Sequence, residues 1–249
     1  MFNFFKKKEF FDAPVNLPFL TDMHSHILPG IDDGSPDIAT SLMLIEQLYN
    51  LGIRKAIATP HIIGDLYRNN AATINNALQQ VKLACAAAKI NIEISAAAEY
   101  MLDDYFMDLL DKKIPLLTLH NNIILTEFSY TAAPPGAAQM FYHITNNGYI
   151  PLLAHPERYH YFQNNYDEYF MLEEIGYKLQ VNLLSLVGYY GKAAARAGKF
   201  IIENNLADWV GTDMHHMRHA NALTNTKNRI LLQKLLQNKM YNNFESIRV

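Results

Sequence analysis

Residues 19–36 read FLTDMHSHILPGIDDGSP, and this stretch decides which fold the chain is expected to adopt. The apolar run over 19–26 predicts a short β-strand that ends in the two histidines His24 and His26. The loop that follows contains Asp33 and is rich in glycine, proline and aspartate. A loop with ionisable side chains therefore follows directly on the first strand.

An amphipathic helix is predicted directly after this loop, over residues 36–50. Ser35 is the expected N-cap, Pro36 occupies the first helical position, and Gly52 follows the expected end. The apolar side chains of this segment recur every three or four residues, as a helix with one buried face requires. The first unit of the chain is thus a strand, a loop and a helix.

The same unit recurs along the whole chain. Six further apolar runs predict strands near residues 53–59, 92–98, 122–128, 149–154, 178–183 and 208–212. Helical patterns also lie over residues 71–89, 136–147, 166–175, 191–204 and 226–238. This alternation predicts a parallel sheet covered by helices, either closed into a barrel or open and doubly wound. Polar residues at the strand ends favour the barrel, so the predicted fold class is α/β, a seven-stranded (β/α)7 barrel.

Composition excludes several classes of function. The chain has 249 residues, with 21 Lys plus Arg against 24 Asp plus Glu and a formal charge of −3, so no basic nucleic-acid groove is expected. The one cysteine, Cys85, forms no internal disulfide and no thiolate zinc site, which fits a reducing compartment and predicts a cytoplasmic location. Half of the residues are hydrophobic, but no run approaches the roughly 18 apolar residues that a membrane-spanning helix needs.

The N-terminal sequence MFNFFKKKEFF does not have the order of a secretory signal. Its lysines follow the aromatic residues, and no apolar region comes after them. Phenylalanines beside lysines are compatible with weak contact with an anionic membrane surface. A solvated chain end is the simpler interpretation.

Histidines and carboxylates stand at or just after the ends of six predicted strands. The set comprises His24, His26, Asp33, His61, Glu99, Glu127, His155, Asp213 and His215. In an ideal strand, residues two apart point to the same face, so His24 and His26 can bind one cation. The carboxyl ends of barrel strands converge on one mouth, where so many ionisable groups would be costly to bury without counterions. The sequence therefore predicts a metal centre at that mouth.

Other polar residues near these strand ends are candidates for supporting roles. Asp22 lies two residues before His24 and is expected to orient its imidazole. Three histidines close to the mouth are candidates for hydrogen bonding to the metal ligands and orienting them: His160, His216 and His219. The remaining two, His120 and His143, are expected on the surface or in the core.

Six separated motifs occur in order along the chain: DMHSHILPGIDDGSPD, ATPH, AAAEY, LTEFS, AHPERY and TDMHH. They resemble the motifs of the PHP (polymerase and histidinol phosphatase) superfamily. Within it they are most similar to the bacterial manganese-dependent protein-tyrosine phosphatases of capsule and exopolysaccharide operons. The resemblance runs from about Asp22 to His215. It implies a distorted seven-stranded PHP-type barrel, with an N-terminal extension over 1–18 and a single catalytic domain over 19–249.

The resemblance also implies three divalent metal ions, with manganese expected and iron or zinc as alternatives. The first ion would be bound by His24, His26, Glu99 and Asp213. Glu99 would bridge to the second ion, which Glu127 and His155 complete, and the third would be bound by Asp33, His61 and His215.

The resemblance assigns roles to two arginines, and four tyrosines near the first of them are further candidates. Arg158, in the AHPER motif, would bind the phosphoryl oxygens, and Arg218 is the nearest candidate for the family's second arginine. The tyrosines that follow Arg158 either line the mouth and stack on a phosphotyrosine ring or are ordinary packing residues. These are Tyr159, Tyr161, Tyr166 and Tyr169.

The function implied by the resemblance is that of a metal-dependent phosphotyrosine-protein phosphatase. Its substrate would be a bacterial tyrosine autokinase of polysaccharide export. A metal-bridged hydroxide would attack the phosphotyrosine of that kinase and hydrolyse the phosphate ester. The alternatives are a small-molecule phosphomonoesterase of the histidinol-phosphate type, an amidohydrolase, and a non-catalytic metal-stabilised regulatory module. A cysteine-dependent phosphatase is excluded, because Cys85 is followed by AAAKIN and lacks the arginine that activates the thiolate.

Overall fold

Parallel strand segments and helices alternate along residues 16–243, the part of the chain that this computed structural model describes. The strand segments are Thr21–Ser25 (β1), Lys55–Ala58 (β2), His61–Ile62 (β3), Glu93–Ala96 (β4), Glu99–Met101 (β5), Ile123–Glu127 (β6), Ile150–Ala154 (β7), Lys178–Asn182 (β8) and Trp209–Gly211 (β9). All seven predicted strand runs therefore contain strand structure.

The α-helices are Ile38–Asn50 (α1), Ala71–Ala88 (α2), Asp104–Asp111 (α3), Ala137–Asn146 (α4), Asp167–Ile175 (α5), Leu183–Leu186 (α6), Gly191–Glu203 (α7), Met217–Thr224 (α8) and Thr226–Leu236 (α9). A 3₁₀-helix covers Pro156–Arg158. The six helical patterns predicted from the sequence correspond to α1, α2, α4, α5, α7 and α9. The other three helices were not predicted, since each is at most eight residues long and offers little periodicity.

The first helix begins two residues later than predicted, and Ser35 is not its N-cap. Asp37 takes that role, with its Oδ1 accepting a hydrogen bond from the Thr40 N–H at 2.7 Å. The Ser35 hydroxyl instead donates to the main-chain oxygen of Asp37 at 2.9 Å. Ser35 is therefore buried in the loop that leads from the first strand to α1.

The strands form two parallel sheets, in the orders β1-β2-β4 and β3-β5-β6-β7-β8-β9. The predicted strands near 53–59 and 92–98 correspond to β2 and β4, and each is followed after two residues by a second short segment, β3 or β5. The described residues therefore contain nine strand segments where seven strands were predicted. One interruption falls at Pro60, which has no N–H to donate. Main-chain hydrogen bonds continue past the interruptions, from the Ala97 N–H to Ala58 O at 2.8 Å and from the Glu99 N–H to Pro60 O at 3.1 Å.

The first and last strands lie side by side and close the arrangement into a barrel. The Asp213 N–H donates to His24 O at 2.8 Å, and the His26 N–H donates to Met214 O at 3.0 Å. This agrees with the predicted barrel class. Since the strands are parallel, their carboxyl ends lie together at one mouth.

Apolar residues cover the strand faces behind the polar ends. Residues two apart on a strand share a face, so buried Leu125 lies on the same face as Glu127. Leu125 packs in one cluster with Leu152 and Trp209. A larger cluster fills the space between strands and helices. The ligands of the predicted metal centre therefore lie next to tightly packed apolar side chains of the core.

The described end of the predicted N-terminal extension packs against the barrel. Leu17 is buried, and its N–H donates to Leu51 O at 3.1 Å. The segment for which membrane contact was predicted lies outside the described residues. Between residues 16 and 243, no helix combines the length and the apolar character required to cross a bilayer.

Candidate metal centre

Four buried side chains from β1, β5 and the loop after β9 converge at the barrel mouth. His24 Nε2 lies 3.2 Å from Glu99 Oε2 and 3.3 Å from Asp213 Oδ1. His26 Nε2 lies 3.3 and 3.4 Å from the same two oxygens. The two imidazole nitrogens are 3.2 Å apart. These atoms surround one point, as the His-x-His pattern predicted.

Glu99 also links this group to a second one. Its Oε1 lies 3.0 Å from His155 Nε2. Its Oε2 lies 3.2 Å from His61 Nδ1, and that nitrogen is 3.0 Å from Glu127 Oε1. The central carboxylate therefore has an oxygen on each side, which is the arrangement of a bridging ligand.

The third group is more open to solvent. Asp33 is exposed, and its Oδ1 lies 3.5 Å from the Nε2 atoms of both His61 and His215. His61 therefore faces two groups, with Nδ1 towards the glutamates and Nε2 towards Asp33. The ring of His26 also stacks on that of His215, with centroids 3.9 Å apart.

All nine predicted ligands thus come together at one place. Their ligand atoms form four overlapping groups in which every pair of atoms lies within 4.8 Å. His24, His26, Glu99 and His61 each belong to two groups. Because the groups overlap, the division of the nine ligands among three ions stays a prediction.

The donor set fits divalent cations. Buried His61 Nδ1 lies 3.2 Å from Glu99 Oε2 and 3.0 Å from Glu127 Oε1, so two carboxylates share one imidazole nitrogen in the interior. Burying two carboxylates against a single imidazole is costly. Imidazole nitrogen and carboxylate oxygen are ligands that manganese, iron and zinc accept, so bound cations would satisfy all three atoms.

Charges within the cluster shift its pKa values strongly. Burial acts to raise the pKa of Glu99, but the charges of His24 and His61 lower it well below its ordinary value. Burial acts to lower the pKa of His26, but neighbouring Asp32 raises it well above its ordinary value. Protons on His24, His26 and His61, whose pKa values are raised, therefore balance the carboxylates. Cations that bind here would displace those protons.

The imidazole of His24 is oriented by a residue that the sequence did not reveal. His24 Nδ1 lies 2.9 Å from Gln180 Oε1, on β8 across the barrel. The expectation that Asp22 orients His24 is wrong. The Asp22 carboxylate accepts hydrogen bonds from the N–H and the hydroxyl of Thr212, at 2.9 and 2.6 Å. Asp22 therefore ties β1 to β9.

His26 is oriented by Asp32, the neighbour of the predicted ligand Asp33. Asp32 Oδ2 lies 2.8 Å from His26 Nδ1 and accepts from the His61 N–H at 3.2 Å. The Gly34 N–H donates to Asp32 Oδ1 at 2.9 Å. Two adjacent aspartates, Asp32 and Asp33, follow His26 in the sequence and indicate that a carboxylate would contact it. The sequence does not show which of the two makes that contact.

Two ligands follow their strands in a backbone conformation that is rare outside glycine. His155 has φ of 38° and Asp213 has φ of 48°. His155 directly follows β7, Asp213 stands two residues after β9, and both side chains contact the cluster. Such conformations persist where the surrounding structure imposes them, and they concentrate at functional sites.

The two predicted arginines are placed differently. Arg158 forms an ion pair with Asp213 Oδ2, which also accepts from Asn182 Nδ2 at 2.8 Å. Arg218 is exposed on the first turn of α8. Burial lowers the pKa of His216, and the charge of Arg218 adds to that effect.

The other histidines differ in their relation to the cluster. His219 is buried, and its Nδ1 accepts a hydrogen bond from the His215 N–H at 3.2 Å, so it supports a ligand as predicted. His160 is exposed. His143 pairs with Asp111 at the surface, 2.9 Å apart.

Two of the four tyrosines that follow Arg158 pack into the body of the domain. Tyr159 and Tyr169 are fully buried. The Tyr159 hydroxyl accepts from the Phe128 N–H at 2.9 Å and donates to Ala154 O at 3.1 Å. The packing interpretation is therefore the right one for this pair.

Comparison with known proteins places this geometry in a family. A family model described as capsular polysaccharide synthesis, CpsB/CapC, matches residues 20–244. The tyrosine-protein phosphatase YwqE of Bacillus subtilis (strain 168) is 32% identical over 202 residues, or 81% of this chain and 80% of that protein. The tyrosine-protein phosphatase CpsB of Streptococcus pneumoniae is 27% identical over 204 residues, or 80% of this chain and 84% of that protein.

Solved structures agree with the sequence comparison. A crystal structure from work on YwqE from Bacillus subtilis and CpsB from Streptococcus pneumoniae, called unique metal-dependent tyrosine phosphatases, matches with a TM-score of 0.74 and 30% identity. It covers 89% of this chain and 96% of that chain. Histidinol phosphate phosphatase from Lactococcus lactis, solved with zinc, L-histidinol and phosphate, matches with a TM-score of 0.52 and 13% identity, covering 86% and 92%. The second likeness concerns the fold alone, and the predicted PHP-type α/β fold is confirmed.

Proposed function

This chain belongs to the CpsB/CapC family of capsular polysaccharide synthesis, and we propose that it is a metal-dependent protein-tyrosine phosphatase. One observation carries the proposal. Nine side chains of the types that bind metals converge at the barrel mouth, and one of them, Asp213, forms an ion pair with Arg158. The relatives named as tyrosine-protein phosphatases match over about four fifths of their own length, which supports the same activity here.

The nine ligands would hold three divalent ions, with manganese as the expected metal and iron or zinc as alternatives. His24, His26, Glu99 and Asp213 would bind the first, Glu99, Glu127 and His155 the second, and Asp33, His61 and His215 the third. Bound divalent ions supply two kinds of chemistry, by lowering the pKa of water and by neutralising charge on phosphoryl oxygens.

Arg158 would bind the phosphoryl group of the substrate. A guanidinium presents several N–H donors in one plane, which matches two oxygens of a phosphate. Asp213 holds the group by an ion pair and faces His24 with its other oxygen. The phosphate-binding residue is therefore tied directly to a metal ligand.

An aryl phosphate is the expected substrate class, because its leaving group needs little help from a general acid. Phosphotyrosine leaves as a phenolate whose conjugate acid has a pKa of about 10, far below that of an alkyl alcohol. Protonation of the leaving oxygen is therefore less necessary than it is for phosphoserine. We expect phosphoserine peptides to be poor substrates.

The first test of the proposal is hydrolysis of para-nitrophenyl phosphate. Activity should require added manganese and stop with a chelator. His155→Ala should abolish it, whereas His160→Ala, an exposed histidine five residues away, should not. Full activity of the His155→Ala variant would contradict the proposed site.

The second test separates the substrate classes. A phosphotyrosine peptide and histidinol phosphate are compared by kcat/KM under the same conditions. Preference for the peptide supports the protein phosphatase, and preference for histidinol phosphate supports the small-molecule alternative. Metal binding without hydrolysis of either substrate would favour the non-catalytic module.

Elemental analysis of the purified protein tests the number and kind of ions, with three per chain expected. The role of Arg218, whose side chain is exposed, stays a prediction. Arg218→Ala, measured beside Arg158→Ala, tests that role. A loss of activity in both variants would support a second phosphate-binding arginine.

The proposed substrate is a tyrosine-phosphorylated autokinase of polysaccharide export. The family's description as capsular polysaccharide synthesis supports this choice. Incubation of the enzyme with the tyrosine-phosphorylated proteome of the source cell, followed by identification of the dephosphorylated proteins, tests it. A cytoplasmic location and the division into an extension over 1–18 and a catalytic domain over 19–249 stay predictions.

A further inference from the structure

Two tyrosine rings cover the guanidinium of Arg158. The guanidinium carbon lies 4.1 Å from the ring centre of Tyr190 and 5.1 Å from that of Tyr130. The Arg158 side chain is 20% exposed and pairs with Asp213. Neither tyrosine has a part in the chemistry described above, yet both rings lie against the phosphate-binding group.

The Tyr190 ring is itself held in place. It follows α6 and directly precedes α7, and it meets Tyr189 nearly edge-on at 5.1 Å. Its hydroxyl lies 3.5 Å from His219 Nε2. His219 in turn accepts from the N–H of the ligand His215. The ring is therefore connected to the loop that carries two predicted metal ligands.

A ring over a guanidinium restricts its rotation without using its donors. The N–H groups of arginine lie at the edge of the plane, whereas a cation–π contact is made with its face. One Arg158 nitrogen is directed to Asp213, which leaves the remaining edge for an anion.

We propose that Tyr190 is a positioning residue that holds the Arg158 guanidinium with its free N–H edge directed at the phosphoryl group. The proposal rests on the proposed function, in which Arg158 binds phosphate. Tyr130 contributes a similar contact, but its hydroxyl lies 3.2 Å from His155 Nδ1. Substitution of Tyr130 would therefore also disturb a metal ligand, and Tyr190 gives the cleaner test.

Calorimetric titration of the manganese-loaded protein with inorganic phosphate tests the proposal. Tyr190→Leu removes the ring and should weaken phosphate binding roughly 3- to 30-fold, the range expected for a partly desolvated cation–π contact. Tyr190→Phe keeps the ring and should stay within about two-fold of the wild type. Tyr142→Leu, at an exposed tyrosine on α4, is the matched control and should leave the affinity unchanged. Equal manganese content in all variants excludes an effect through the metal.

Two results of this titration would overturn the proposal. One is an unchanged affinity in Tyr190→Leu. The other is an equal loss in Tyr190→Phe, because the hydroxyl and its contact with His219 would then matter instead of the ring. A double variant adds a further requirement: in an Arg158→Ala background, Tyr190→Leu should change kcat/KM for para-nitrophenyl phosphate by less than about two-fold. A full additional loss there would show that Tyr190 acts on the structure and not through Arg158.

A measurement without substrate separates this proposal from the proposed function. The order parameter of the Arg158 Nε–H bond, obtained by NMR relaxation, should fall below about 0.6 in Tyr190→Leu and stay high in Tyr190→Phe. Unchanged order in Tyr190→Leu overturns the positioning role. If order falls as expected while the wild type neither binds phosphate nor hydrolyses aryl phosphates, the proposed function fails and the positioning of Arg158 stands.

Discussion

Replacing Glu157 by glutamine should stabilise the protein above neutral pH. Glu157 lies in the 3₁₀-helix between His155 and Arg158 and is fully buried. Its Oε1 accepts a hydrogen bond from the Asn182 N–H at 3.0 Å. Burial raises the pKa of this carboxyl group from 4.5 to about 7, although Ser185 and Arg158 act to lower it.

The sign of the effect follows from the raised pKa. The folded chain holds the Glu157 proton more tightly than the unfolded chain does, so its contribution to stability is fully present below about pH 4.5. That contribution is lost as pH rises through about 7. One pKa unit corresponds to 1.36 kcal/mol, so the ionised carboxylate costs the folded state about 3 kcal/mol at high pH. Glutamine has nearly the same shape and cannot ionise, so it avoids this cost.

The assay is urea denaturation of the wild type and Glu157→Gln at pH 5 and pH 8. A chelator is present throughout, so that metal binding does not contribute to the difference. The gain in free energy of unfolding from the substitution should be about 2 to 3 kcal/mol larger at pH 8 than at pH 5. Glu173→Gln, an exposed glutamate on α5, is the matched control and should change stability by less than about 0.5 kcal/mol at either pH.

A pH-independent difference between the wild type and Glu157→Gln would refute the reasoning. It would mean that the carboxyl group has the same pKa in the folded and unfolded chains. Lower stability of the variant at pH 8 would be equally damaging, because it would show that the charged form makes net favourable contacts in the interior.

Three further predictions concern the metal centre. Manganese at a hundred times its dissociation constant should stabilise the protein by about 2.7 kcal/mol, read as a higher Tm that a chelator reverses; an unchanged Tm would contradict a folded-state metal site. Gln180→Leu removes the hydrogen-bond acceptor of His24 Nδ1 and should weaken manganese binding about 10- to 100-fold in a competition titration with a chelator. An unchanged affinity for manganese would show that Gln180 does not orient His24. Gly34→Ala would place its Cβ 2.2 Å from His26 O and should lower the free energy of unfolding by about 1 to 3 kcal/mol in urea, and a neutral result would mean that the loop can shift freely.

The ligands of the candidate site could be predicted because they stand at or soon after the ends of six predicted strands. Glu127 is the last residue of β6, and His155 directly follows β7. A strand end is recognisable from a few neighbouring residues, and parallel strands bring their carboxyl ends together whatever the details of packing. Local pattern alone therefore predicted which residues would meet.

The residues that orient those ligands could not be predicted in the same way. His24 contacts Gln180, 156 positions later in the chain, and the register of β8 decides that contact. Asp22 has the expected spacing from His24 but bonds to Thr212. The interruption at Pro60 likewise changes which strand segments pair.

Sequence by itself thus determined the α/β barrel class, the positions of the seven strand runs and the nine side chains at the mouth, because hydrophobic periodicity and strand ends are local properties. Only the tertiary structure decided that Tyr190 covers Arg158 and that Gln180 contacts His24. These contacts depend on distances between distant segments, and no short-range pattern in the chain encodes such distances.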